Sequence, residues 1–285
     1  MTDDRRTVAA PAFTETLALG NGLCLQASTD RFRLHRLVPW EPAPADRLSA
    51  EGDAASTRQL MAGALYAGLP SGRPAARPGD LLLGHIFALA ASYRTTGSTP
   101  SAERRAADRL AARGSHAAAA YRRRVAEEET GHDRLAMMDI AALGLDVEAF
   151  VARLQPARAL ALAARQQALA DSDEPIAVAG YAYVLERCAL RITAEVVAAI
   201  ERVMPAGVRA TRCLRVHSAI GSDCGHVDEA LAFIAGLPPR DRAIVAREAF
   251  ATMSLIGAHD DYPGDAAMRA LLADLNWPHL HTLAA

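Results

Sequence analysis

Residues 115–144 have the sequence SHAAAAYRRRVAEEETGHDRLAMMDIAALG. Alanine, arginine, glutamate and leucine, which dominate this stretch, are strong helix formers. Its apolar residues recur at helical spacing, as Tyr121, Val125 and Leu135 do, so we expect one face to be buried. Gly144 predicts the end of the helix, because helices commonly end on a glycine. The stretch therefore predicts one long helix with a buried face.

Similar helical patterns dominate the chain from about Ser56 onward. Prolines and glycines, which break helices, delimit two more long helices at about residues 175–204 and 210–236. Together with the stretch above, they predict the centre of a helical bundle. Asp80 is expected to cap another helix, and Pro100 to begin the next one. Strand signals are scarce, so the predicted fold class is all-α.

The first 50 residues have a different character. They mix Asp, Arg, Thr and Pro without sustained periodicity. We therefore predict that residues 1–50 form a loosely ordered N-terminal arm. Residues 51–285 are predicted to form a single helical domain that carries the functional site.

The net charge limits the classes of partner, and the cysteines indicate the cellular compartment. Lys plus Arg number 31 and Asp plus Glu number 33, a net charge of −2, so no basic field is predicted to bind nucleic acid or an anionic membrane. The most apolar run, Leu81 to Ala91, is shorter than the roughly 20 residues that span a bilayer. The four cysteines show no CxxC pairing, which favours free thiols and a cytoplasmic location: Cys24, Cys188, Cys213 and Cys224.

Glu129 and His132 form a Glu-x-x-His motif within the first predicted helix. Residues three apart on a helix lie about 60° apart around its axis, so this carboxylate and imidazole can reach one metal ion. Helical bundles that bind two irons use this pairing. Glu128 lies nearer the middle of the apolar face, so the spacing leaves both carboxylates open as ligands. Asp139, on the same face, is a candidate to orient an imidazole.

Glu186 lies on the apolar side of the second predicted helix, among Ala182, Tyr183 and Ala189. Removing a carboxylate from water costs free energy unless a cation or hydrogen bonds compensate. Two interpretations follow. Glu186 either binds a metal ion or forms an inward salt bridge to an arginine.

The third predicted helix contributes His217, Asp223 and His226. Asp223 and His226 repeat the carboxylate-x-x-His spacing, and such oxygen and nitrogen ligands favour iron or manganese over structural zinc. On an ideal helix, however, the three side chains spread over about 180°, so they cannot all bind together. Either Gly221 and Gly225 permit an unwound turn that gathers them, or one histidine is not a ligand.

These segments resemble the haem-oxygenase-like diiron oxidases and oxygenases. The resemblance covers about residues 115–237 and is carried by residues 128–133, Asp139, residues 143–144, the sequence GYAYVLE at 180–186, and the His/Asp/His segment. It implies a haem-oxygenase-like helical bundle that binds two ferrous ions, which activate dioxygen. It also implies the metal ligands: Glu129, His132, Glu186, His217, Asp223 and His226. Members commonly space the last segment His-x-x-x-Asp-x-x-His, from which the wider interval between His217 and Asp223 departs.

The resemblance further implies oxidation of a small metabolite, with dioxygen as the co-substrate. The implied reactions are N-oxygenation of an amine, or oxidative cleavage of an amino or aliphatic acid, in biosynthesis. No side chain other than the metal ligands is expected to be catalytic. An external electron donor and a homodimer are both compatible with the sequence.

Two other functions stay open. A haem-binding or haem-degrading oxygenase of the same fold would use His85 as its axial ligand, although a histidine in such an apolar helix is more often a satisfied core residue. The second alternative is a non-catalytic helical interaction protein. Two structural expectations complete the sequence analysis: residues 122–124, all arginine, form a solvated face, and Trp277 fastens the C-terminal segment through its indole.

Overall fold

A computed structural model of the protein describes residues 13–38, 40, 42–69, 78–221, 225–258 and 261–283. These residues are mostly helical and include a small three-stranded sheet. The helices are α1 (Ala54–Gly68), α2 (Leu81–Ala112), α3 (His116–Glu128), α4 (His132–Ala142), α5 (Val147–Arg153), α6 (Ala157–Asp171), α7 (Val178–Ala189), α8 (Ala194–Val203), α9 (Arg212–Val216), α10 (His226–Ala235), α11 (Pro239–Ala258) and α12 (Asp265–Asp274). The predicted helical character is confirmed, while the haem-oxygenase-like topology stays a prediction.

The N-terminal region contains the sheet. Its strands are β1 (Glu15–Gly20), β2 (Leu23–Ala27) and β3 (Phe32–Arg36), paired antiparallel in that order. Leu17 and Leu25 are fully buried in the same apolar cluster as residues of α1 and α11. The predictions of a loosely ordered arm and of a purely helical fold are therefore wrong for residues 15–36. An Asn-Gly turn at Asn21, a common hairpin sequence, is the signal that identifies this feature.

The helix α2 continues through a proline. Asp80 caps it as predicted, accepting hydrogen bonds from the backbone N–H groups of Leu82 and Leu83 at 2.9 and 3.2 Å. Pro100 lies inside the helix and does not begin one, so that prediction is wrong. Proline removes one backbone donor. Thr99 directly precedes the proline, and its hydroxyl donates to the carbonyl of Thr95 at 2.9 Å. This bond adds one hydrogen bond to the helical turn before Pro100.

Each of the three predicted long helices is interrupted. The first divides into α3 and α4 around Gly131, whose φ of 95° is in the left-handed region that suits glycine. The second divides into α7 and α8, and the third ends as α9 at Val216 and resumes as α10 at His226. Gly144, with φ of 78°, does mark a helix end as predicted. The interruptions leave the predicted ligands near helix ends, where side chains from separate segments can converge.

The C-terminal segment is fastened to the helices as predicted. The indole N–H of the buried Trp277 donates to the carbonyl oxygen of Leu143 at 2.8 Å. This bond satisfies one of the carbonyls left unpaired near the end of α4. Within the part of the chain that the structure describes, none of the helices combines the length and apolarity needed to cross a membrane.

Truncation of the sheet core tests whether the sheet is part of the folded domain. We expect Leu25→Ala to lower the free energy of unfolding by about 2–5 kcal/mol, because a buried leucine leaves a cavity when it is shortened. Arg33→Ala, at an exposed position of β3, should change it by less than about 0.5 kcal/mol. Urea unfolding followed by circular dichroism measures both. Equally small effects would identify a loose arm.

Candidate metal centre

The break between α3 and α4 holds Glu129 and His132 together. Nδ1 of His132 lies 3.0 Å from Oε2 of Glu129, and Glu129 is buried. Glu128 instead is exposed and forms an ion pair with Arg124 at 3.3 Å. Of the two carboxylates that the spacing left open, Glu129 therefore lies with the other candidate ligands.

Two further helices bring their side chains to the same place. Nδ1 of His226, the first residue of α10, lies 3.8 Å from Oε1 of Glu186 on α7. One potential ligand atom from each of Glu129, Glu186 and His226 can be chosen so that all three lie within 4.8 Å of one another. Neighbouring carboxylates repel each other unless a proton or a cation intervenes. The arrangement of two carboxylates and one imidazole therefore has the donor chemistry of a site for a divalent transition-metal ion.

His217 joins the cluster through His132. The centres of their imidazole rings are 4.8 Å apart, with an interplanar angle of 76°. Five of the six predicted ligands thus lie together, and we refer to them as the carboxylate–histidine cluster: Glu129, His132, Glu186, His217 and His226. Asp223 lies outside the described residues.

An unwound segment between α9 and α10 removes the geometric objection to the third predicted helix. The ideal-helix argument assumed a continuous helix from His217 to His226, whereas the helix ends at Val216. At Gly221 a Cβ atom would lie 2.0 Å from the carbonyl oxygen of Val216, so only glycine permits this close approach. Among the described residues, 217–221 are not helical, as the first of the two sequence alternatives requires.

Asp139 fastens the segment that carries His217. It is fully buried; Oδ2 accepts a hydrogen bond from the backbone N–H of Cys213 at 2.8 Å, and Oδ1 accepts one from Arg212 at 3.1 Å. These bonds attach α9 to α4. The sequence led us to expect that Asp139 orients an imidazole directly. In the structure it positions the backbone of α9, which leads to His217.

A second buried carboxylate lies near the cluster. Glu103 of α2 is completely buried and forms an ion pair with Arg122 of α3, whose NH1 nitrogen is 3.2 Å from Oε2. Arg122 is also buried, so its predicted place on a solvated face is wrong. Burial raises the pKa of Glu103 to about 7, Arg122 opposes that rise, and the negative charge of Glu129 adds to it.

Sequence reasoning missed Glu103, although a signal was present. Ala106, Ala107 and Leu110 follow it at intervals of three, four and seven residues, and all three are buried. That spacing places Glu103 on the inward face of α2. Arg122 was missed because its two neighbours, Arg123 and Arg124, are exposed and the run looks uniformly solvated.

Two cavities adjoin the carboxylate–histidine cluster. The larger, about 320 Å³ in volume, is bounded by α2, α6 and α7 and has Glu129, Glu186 and His217 in its wall. The smaller, about 30 Å³, has Glu129, Glu186 and His226 in its wall. The larger cavity is at the lower end of the range for small-molecule sites, and the smaller has room for about one water molecule.

His85 and Cys213 are placed differently from these ligands. His85 is buried, its Nε2 lies 2.6 Å from the carbonyl oxygen of Ala210, and burial lowers its pKa. This contact satisfies one ring nitrogen, while the buried Nδ1 has no hydrogen-bond partner among the described residues. For the Cys213 thiol, burial raises the pKa to about 12, so this sulfur stays protonated near neutral pH.

Comparison with known proteins found no matching family model, no matching curated protein and no matching solved structure. The resemblance to the diiron oxygenases therefore stays a prediction that depends on the residues themselves.

Substitution of the adjacent residues Glu128 and Glu129 tests whether the cluster binds metal. We expect Glu129→Gln to weaken binding of ferrous or cobaltous ion at least roughly tenfold, because even a residue that only orients a ligand contributes about 10–100-fold. Glu128→Gln is the matched control and should bind as the wild type does. Anaerobic titration measures both affinities. Equal losses in the two variants, or none in either, would place the ligands elsewhere.

Proposed function

We propose that the protein is a nonhaem diiron oxidase or oxygenase that acts on a small metabolite. The observation that carries the proposal is the convergence of Glu129, Glu186 and His226 within 4.8 Å beside a cavity of about 320 Å³. These three residues come from separate parts of the chain, so no local sequence preference explains their meeting.

The donor set fits two iron ions. Carboxylates and imidazoles from the helices of a bundle are the ligands of known dinuclear iron centres, and they suit iron better than thiolate-preferring metals. Glu129 is adjacent both to His132 and to the pair formed by Glu186 and His226. In the proposal the described residues that would hold the two ions are Glu129, His132, Glu186, His217 and His226.

The chemistry of the bound group and the role of the protein are separate. Two ferrous ions would supply electrons for the reduction of dioxygen. The protein holds the ligands in place: the bonds from Asp139 to α9 position the His217 segment, and the backbone N–H of Ala219 donates to the carbonyl of Ile192 at 3.0 Å. Apolar residues such as Leu162 and Leu185 in the cavity wall limit the access of water to the substrate.

In this proposal the enzyme is cytoplasmic and can receive electrons from an external donor. Its reaction is either N-oxygenation of an amine or oxidative cleavage of an amino or aliphatic acid. No observation favours haem as the cofactor, because the imidazole of His85 is buried against the carbonyl of Ala210.

Iron stoichiometry tests the proposal. Anaerobic reconstitution should give about two ferrous ions per chain, the number that such bundles bind. His132→Ala should abolish or halve this loading while the helical circular dichroism persists, and His116→Ala, at an exposed position, should load normally. Loading that His132→Ala leaves unchanged would refute the proposed centre. A Soret band on addition of haemin would favour the haem alternative.

Dioxygen consumption tests the activity. The iron-loaded protein should consume dioxygen faster when a substrate is present, because closure around a bound substrate excludes water and positions the reacting group. Amines, amino acids and fatty acids can be compared with an oxygen electrode, with metal-free protein as the control. Iron-loaded protein that consumes no dioxygen with any of these classes would contradict an oxygenase acting on them.

A further inference from the structure

Positive charge is concentrated in one segment of the chain. Residues 187–217 contain six arginines and two acidic residues, which gives this segment a net charge of +4. The other 25 Lys plus Arg and 31 Asp plus Glu leave the rest of the chain at −6, so the overall charge of −2 conceals an uneven distribution. A surface of one sign attracts a partner of the opposite sign. All six arginines of the segment are exposed: Arg187, Arg191, Arg202, Arg209, Arg212 and Arg215.

Two of these arginines flank the segment 217–221, which carries a histidine of the carboxylate–histidine cluster. The backbone N–H of Ala219 donates to the carbonyl of Ile192 at 3.0 Å. This bond brings Arg191, just after the end of α7, beside the segment. Arg215 precedes the segment by two residues. A partner that contacts both arginines therefore lies close to the candidate metal centre.

The residues in and before α9 carry the next part of the same surface. Arg209, Arg212 and Arg215 line one depression of about 570 Å³. Glu201 of α8 forms an ion pair with Arg215 at 2.7 Å and accepts a hydrogen bond from Thr211 at 2.8 Å, so α8 lies against this depression. The positive charge therefore extends from the end of α7, past residues 217–221, to the loop before α9.

Most of this charge is not neutralised within the protein. Arg212 is paired with the buried Asp139 at 3.1 Å, and Arg215 with Glu201. Arginine keeps its charge in any environment near neutral pH. The described residues provide no ion-pair partner for the other four arginines: Arg187, Arg191, Arg202 and Arg209. Their guanidinium groups are therefore available to the carboxylates of a partner.

Exposed apolar side chains accompany the arginines. Ile220, in the segment that Arg191 and Arg215 flank, is 50% exposed, and Val196 and Val203 of α8 are each 41% exposed. Protein interfaces are enriched in arginine and combine an apolar centre with a polar rim. Surfaces that bind nucleic acid belong instead to strongly basic domains with many phosphate contacts, and this chain has a net negative charge. The composition therefore favours a protein partner.

We infer that this arginine surface, formed by the six arginines and Ile220, docks an acidic protein that delivers electrons to the centre. The inference rests on the proposed function and names the partner of the same site. That partner is a small electron carrier with carboxylates around its redox group. Each reduced carrier gives one electron to a ferric ion and leaves oxidised, so two encounters restore two ferrous ions.

Charge reversal tests the docking surface. The iron-loaded ferric protein is mixed anaerobically with a reduced acidic ferredoxin, and electron transfer is followed by stopped-flow absorption. We expect Arg191→Glu to lower the second-order rate about tenfold at low ionic strength, within the range that electrostatic steering contributes. High salt, which screens exposed charges, should largely remove this loss.

The matched control is Arg33→Glu. It makes the same charge change at an exposed position of β3 and should leave the rate nearly unchanged. Circular dichroism of both variants checks that they fold. Equal rates for the two variants would overturn the inference.

Truncation of Ile220 tests the apolar part of the interface. Ile220→Ala should weaken binding of oxidised ferredoxin several-fold, because the removed methylene groups no longer contribute buried apolar area. Leu160→Ala, at a position of α6 that is 38% exposed, is the control and should bind as the wild type does. Calorimetric titration measures both affinities. Equal losses in the two variants, or none in either, would overturn the assigned position.

Arg191→Glu also distinguishes other occupants of the surface. Binding of transfer RNA or of phosphatidylserine vesicles that this variant abolishes, without binding of ferredoxin, would overturn the inference. So would sedimentation that shows a wild-type dimer and a monomeric variant, because the surface would then be occupied by a second copy of the chain.

Iron content, measured in the same samples, separates this inference from the proposed function. Two irons per chain without binding of ferredoxin or of an acidic flavodoxin would overturn the inference and leave the proposed function standing. Protein that takes up no iron would overturn the proposed function whatever its affinity for the carriers.

Discussion

Electrostatic repulsion between Glu129 and Glu186 is the constraint on which the rest of the structure depends. Both carboxylates contribute to a group whose potential ligand atoms lie within 4.8 Å of one another, and burial weakens the solvent screening of their charges. A protein keeps such a pair only where a cation or a proton compensates. In the proposal, the histidines beside them would bind a metal ion without adding negative charge.

The fold meets this constraint by ending helices at the cluster. Glu129 closes α3, His132 begins α4 and His226 begins α10, while His217 directly follows α9. A continuous helix fixes the angle between its side chains. An interrupted helix frees that angle, so residues that an ideal helix would spread around its axis can face a common point. The two hydrogen bonds of Asp139 then limit the freedom that the interruption creates.

The sequence predicted the helical character, the cap at Asp80, and the fastening of the C-terminal segment by Trp277. It did not predict the interruption at Gly131, because the alanine-rich pattern on both sides continues in register and local propensity favours one helix. An unwound turn in the third helix was one of its two alternatives. Tertiary contacts decide such cases. The sheet was missed although the Asn-Gly turn at Asn21 is a local signal, because its short strands depend on packing leucines such as Leu17 and Leu25 on α1.

The cluster was more predictable than its surroundings. Its five residues were candidates because of the carboxylate-x-x-His spacing, the carboxylate of Glu186 on an apolar face and the resemblance to the diiron oxygenases. Glu103 and Arg122 were not found, since they neutralise each other across two helices and neither is unusual within its own helix. Arginine keeps its charge even when buried. Arg122 therefore needs a permanent anionic partner, and Glu103, which supplies it, is held at the wall of the larger cavity by the same ion pair. Packing of α2 on α3 thus holds the carboxylate of Glu103 beside the candidate centre. Its charge is compensated there by Arg122.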